Sequence, residues 1–124
     1  MGLPWCVTFV HAVIGRTDIL GDPCPGSRTL MRRMKQKGMW RGRDYVPVEG
    51  DLIFCANDGK RVDHVGIVES ADRRTVVSID GNSRGQDNGP DEWKGGIVAR
   101  RIRSASDPMI RGYAAIGKLI GQQR

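Results

Sequence analysis

Three cysteines and two histidines are the side chains of this sequence best suited to nucleophilic and acid–base chemistry. Cys6 stands out among them, in the run Leu3-Pro4-Trp5-Cys6-Val7-Thr8-Phe9-Val10. Pro4 suits the first turn of a helix, where its missing N–H costs nothing. Cys6 is therefore expected at a helix N-terminus, where the thiolate, the nucleophilic form of cysteine, is favoured. Such a nucleophile also needs a base within hydrogen-bond reach and a group that orients the base. His11 follows Cys6 by five residues, about 140° round a helix that turns roughly 100° per residue. It should point away. His64 lies far down the chain in an apolar, strand-like run and could meet Cys6 only through the fold, as a cysteine–histidine site requires. Asp80 and Asn82, two residues apart, share one face of an extended chain, and either could accept the second N–H of His64. Asp63 would face the other side of its strand. The structural alternatives are a small buried hydrophobe for Cys6 and a strand-ending turn for Asp80–Asn82.

The elements that must position these residues follow from local patterning. Val7, Phe9, Val10, Ala12 and Ile14 form an apolar segment closed by Gly15, a helix stop. Arg16 to Gly26 reads as a polar loop, broken by Gly21, Pro23 and Pro25. Ser27 is placed to cap a second helix carrying Leu30, Met31 and Met34, with its stop at Gly38. Strands are expected over Asp51 to Ala56, Asp63 to Glu69, Thr75 to Asp80, Gly96 to Ile102 and Gly112 to Ile116. Asn57-Asp58-Gly59 is a turn signal. Gly81 to Gly95, with Trp93, reads as a polar glycine-rich loop. Helices followed by an antiparallel meander predict an α+β fold.

At 124 residues the chain is expected to form a single domain, 1–124, with a core that needs neither disulfide nor metal. No apolar run is long enough for a transmembrane helix, and the first residues lack a secretion-signal pattern. An odd number of cysteines with no C-x-x-C pair argues against a disulfide scaffold, although Cys24 and Cys55 could pair if close. Zinc binding is disfavoured, because no ligand pair has the usual short spacing. The formal net charge of +6 suits polyanionic partners, including nucleic acids, anionic membranes and cell-wall polymers. A sequence-specific nucleic-acid binder is disfavoured, since the basic residues are dispersed and no stacking-aromatic motif accompanies them.

Four motifs occur in order: Trp5-Cys6-x-x-Phe9-Val10, Pro47-x-x-Gly50-Asp51-Leu52-Ile53-Phe54, Asp63-His64-Val65-Gly66-Ile67-Val68 and Ile79-Asp80-Gly81-Asn82-Ser83, followed by Ile110-Arg111-Gly112-Tyr113. None is specific alone. Together they resemble the CHAP domain, the cysteine, histidine-dependent amidohydrolase/peptidase family of bacterial and phage cell-wall enzymes. The resemblance implies a papain-like fold, with N-terminal helices packed on a small antiparallel sheet. It implies hydrolysis of an amide bond in peptidoglycan, either an N-acetylmuramoyl-L-alanine amidase or a stem or cross-bridge endopeptidase reaction. Cys6 matches the family nucleophile and His64 the base. Asp80 stands where the family usually has glutamate, and Asn82 matches the asparagine two residues on. No cofactor or metal is implied. The expected partner is bacterial peptidoglycan, met by a monomer outside the cell at the wall, secreted or delivered by phage. The competing reading is a catalytically idle wall-binding or scaffold domain of the same fold.

Overall fold

A computed structural model describes residues 5–22, 26–56, 60–81 and 98–121. Pro4, Cys24, the Asn57-Asp58-Gly59 turn, Asn82 and the remainder of the Gly81–Gly95 loop with Trp93 lie outside the described residues. The element order is α1 (Trp5–Ile14), α2 (Thr17–Leu20), α3 (Ser27–Gln36), β1 (Trp40–Arg41), β2 (Leu52–Cys55), β3 (His64–Ala71), β4 (Thr75–Gly81), β5 (Val98–Ser104), β6 (Ile110–Ala114) and α4 (Gly117–Gly121). Helices and an antiparallel sheet make the α+β class that the patterning predicts.

Among the described residues, six strands lie in the order β1-β6-β2-β3-β4-β5, all paired antiparallel. Strands β2 to β5 form the expected meander, while β6 returns to the far side of β2 and carries β1 at that edge. Every residue of β2 is buried, as its unbroken Leu-Ile-Phe-Cys run requires of a strand covered on both faces. Leu52, Phe54 and Val65 join one apolar cluster with Cys6, Val7 and Val10 of α1 and Leu30 and Met34 of α3. Ile53, Cys55, Val68, Val76, Ile110 and Tyr113 form a second cluster. Alternation of side chains along the strands separates the two.

Three local expectations need correction. The polar loop from Arg16 contains a turn of helix, α2, whose Ile19 and Leu20 are buried in the first cluster. Their burial outweighs the loop-like composition around them. Ser27 does not cap α3; it is the first helical residue and itself buried, and the preceding Gly26 offers no side-chain cap. The short elements β1 and α4 carry too few residues for a periodic signal, and β1 is fixed by its pairing with Ala114 and Tyr113. The helix stops are as expected: Gly15 and Gly38 take φ of 63° and 77°, a left-handed conformation that glycine adopts without steric cost.

Candidate active site

His64 is the first residue of β3, so its ring stands at the end of the sheet, where the start of α1 reaches it. Its Nε2 lies 2.6 Å from Asp80 Oδ2. The Cys6 thiol is also a hydrogen-bond partner of the ring. The three residues come from α1, β3 and β4 and are all buried: Cys6 is 2% exposed, His64 7% and Asp80 0%.

Asp80 is held by more than the histidine. Its Oδ1 accepts a 2.7 Å hydrogen bond from Ser78 Oγ, and its Oδ2 a 3.3 Å bond from Arg103 Nη2. Arg103 Nη1 in turn donates to Ser78 Oγ at 3.0 Å. Register explains the grouping. Ser78 and Asp80 are two residues apart on β4, and Arg103 of β5 pairs with Val76, so all three share one face.

Gly66 completes the arrangement. A Cβ at this position would overlap Asp80 Oδ1 and lie 2.9 Å from Asp80 Cγ. The aspartate carboxylate therefore rests against bare β3 backbone, a close approach that glycine inside a strand permits.

The electrostatics follow from this packing. Burial disfavours the charged His64 ring, but its hydrogen bonds to Asp80 and Cys6 outweigh burial and raise its pKa to about 9. Burial likewise opposes the Asp80 anion, yet the His64, Arg103 and Ser78 partners hold its pKa down at about 2. At neutral pH the pair is an imidazolium against a carboxylate.

The other sequence candidates fall elsewhere. His11 faces α3: burial and the nearby Arg33 charge lower its pKa, and its Nε2 is buried with no hydrogen-bond partner among the described residues. Asp63 is exposed, unlike His64 beside it. Asn82 lies outside the described residues, so Asp80 is the candidate whose contact with His64 is described. Cys55 is a free, buried thiol, pushed up to about 11 by desolvation. Among the described residues, no group of three or more His, Cys, Asp and Glu side chains could hold a metal ion.

Sequence reasoning missed Ser78, Arg103 and the role of Gly66. Ser78 could have been found from its spacing to Asp80. Arg103 had no such signal, being one of 20 basic residues.

Comparison with known families bears on the same residues. The family model for the CHAP domain matches residues 1–82, two-thirds of the sequence. The chain belongs to the CHAP domain family. The match takes in Cys6, His64, Asp80 and Asn82, while Arg103 falls beyond it. Membership gives this CHAP domain its broad class, a hydrolase of the amidase or peptidase type that acts on peptidoglycan. No curated protein matches the sequence. Among the described residues, no helix is long and apolar enough to cross a membrane.

Proposed function

We propose that this CHAP domain hydrolyses an amide bond of peptidoglycan, in the muramoyl–L-alanine linkage or within the attached peptides, using Cys6 as nucleophile and His64 as acid and base. On this reading the chain is one papain-like catalytic unit acting as a monomer at the cell wall. The observation that carries it is the His64 ring held between the Asp80 carboxylate at 2.6 Å and the Cys6 thiol. A histidine clamped in this way is oriented, and its proton is retained at neutral pH.

The chemistry then runs in two halves. Cys6 sulfur, its proton held on His64, attacks the amide carbon and forms a tetrahedral intermediate. The Cys6 backbone N–H, at the start of α1 where helical N–H groups lack intrahelical acceptors, donates to the oxyanion. His64 passes its proton to the leaving nitrogen, the C–N bond breaks and a thioester remains. Water attacks the thioester, His64 takes its proton, and a carboxylic acid leaves as the thiolate is restored. Asp80 touches no substrate in this scheme; it fixes the His64 tautomer and ring plane.

Digestion of purified peptidoglycan, with mass spectrometry of the fragments, tests the proposal. Wild type should release new termini, and Cys6→Ala should fall by several orders of magnitude. Release by Cys6→Ala at the wild-type rate would overturn it. The near-complete burial of Cys6 is the one observation that favours an idle, wall-binding domain. Labelling of Cys6 by a thiol reagent no faster than of Cys24 or Cys55 would support that alternative.

A further inference from the structure

A cleft of about 660 Å³ opens between the start of α3 and the segment that leads into β3. Its walls include Ser27, Arg28, Arg32, Arg61, Val62 and Asp63. Asp63 directly precedes His64 in the chain, so one wall of the cleft lies one residue away from the candidate active site. Among the described residues, its walls carry the guanidinium groups of Arg28, Arg32 and Arg61 and the carboxylate of Asp63.

Arg28 and Arg32 are four residues apart on α3, which sets them on one helix face, and both are exposed. Neither makes a hydrogen bond or ion pair with any described residue. Their placement works against the helix. Like charges four residues apart repel, and cations near a helix N-terminus oppose its dipole. No acidic residue in the first turn and no side-chain cap at Gly26 offsets this. An arrangement that costs stability locally, beside a catalytic site, is what a binding function would retain.

We propose that this cleft is an anion subsite that takes a free carboxylate of the peptide whose amide bond lies at Cys6. The identity of the substrate rests on the proposed function; the anion preference rests on the cleft itself. Guanidinium groups suit the role because their planar forks bind carboxylates through paired, charge-assisted hydrogen bonds. Because Asp63 in its wall directly precedes His64, an anion held here would be part of the same bound peptide and would fix that peptide's register over Cys6.

The test measures binding to the Cys6→Ala variant of this chain, which on the proposed function does not turn over. The probes are a synthetic stem peptide with free carboxylates and its carboxamide counterpart. The carboxylate peptide should bind about tenfold or more tightly than the carboxamide. Adding Arg28→Gln and Arg32→Gln should reduce that preference to less than twofold. Both residues are exposed, and removing two repelling charges should leave the melting temperature no lower. Equal affinity for the two peptides, or a preference unchanged by the double substitution, would overturn the subsite. So would inorganic phosphate that occupies the cleft more tightly than the peptide carboxylate. A protein that prefers the carboxylate peptide yet cuts no peptidoglycan as wild type would overturn the hydrolase reading alone. One that cuts peptidoglycan but binds both peptides alike would overturn only the subsite.

Discussion

Asp51 and Asp80 are both wholly buried, and both fall within the motifs by which the sequence resembles its family. Their partners differ in kind. Asp51 accepts from Tyr45 Oη at 2.7 Å, from the Val48 N–H at 2.9 Å and from the Gly117 N–H at 2.7 Å. These neutral donors tie the turn before β2 to the start of α4. Asp80 accepts instead from His64, Arg103 and Ser78. One of those donors can exchange a proton and the other two cannot. Full satisfaction by backbone and tyrosine marks a carboxylate that holds the fold. Satisfaction by a histidine that also meets a thiol is what the proposed reaction asks of the carboxylate that positions its base.

The comparison breaks first on stability. Asp51→Ala would leave three donors without their acceptor, at about 1–3 kcal/mol for each one that stays buried. A loss of about 3 kcal/mol or more in chemical denaturation is expected, with the rate per folded molecule unchanged. A fall in that rate would mean that the Asp51 corner also serves catalysis.

Gly66→Ala sharpens the other side. The added methyl must displace the Asp80 carboxylate from its seat on β3. On the proposed function, a misplacement of about 1 Å in the group that positions the base costs about 100-fold in rate. The expected result is a kcat lowered by 10- to 100-fold, together with about 1–3 kcal/mol of lost stability from overpacking. Wild-type kcat in this variant would show that Asp80 tolerates displacement.

A smaller effect is the pH dependence of stability. His64 has a folded pKa of about 9, above its ordinary 6.5, so its contribution is complete below about 6.5 and is lost as pH rises through 9. Asp80 has a folded pKa of about 2, below its ordinary 3.8, so its contribution is present above about 4 and is lost as pH falls through 2. The pair should stabilise most between about pH 4 and 6.5. Melting temperatures of the wild type should decline from there toward pH 9, and Asp80→Asn should flatten that decline. An unchanged alkaline slope in Asp80→Asn would contradict the assigned coupling.

Much of this arrangement was legible before the fold was known. Strand periodicity located β2, β3 and β4 to within a few residues, because their apolar runs are bounded by turn residues. Residue chemistry singled out Cys6 and His64, and helical geometry turned His11 away from Cys6. The choice between Asp80 and Asn82 stayed open, because two residues on one strand face are equivalent until the register with β3 is known. Arg103 was hidden for the same reason: its partner Asp80 lies on another strand, and pairing across strands leaves no local pattern. Gly66 carried a signal, a glycine inside a strand, but the group approaching it was not readable. The helix α2 escaped because a single turn has no period, and only tertiary burial of Ile19 and Leu20 reveals it.

The most direct test compares Asp80→Asn with Asp51→Asn in peptidoglycan hydrolysis, with rates normalised to the folded fraction. Asparagine rather than alanine is the informative change at position 80, since its amide oxygen keeps an acceptor for Ser78 and Arg103 while the negative charge is removed. If Asp80 orients His64 for catalysis, Asp80→Asn should lose two or more orders of magnitude, as when a triad carboxylate is neutralised. Asp51→Asn should stay within about threefold of wild type per folded molecule, since its effect is on stability. Equal losses in the two variants, or an Asp80→Asn enzyme as fast as wild type, would contradict the account.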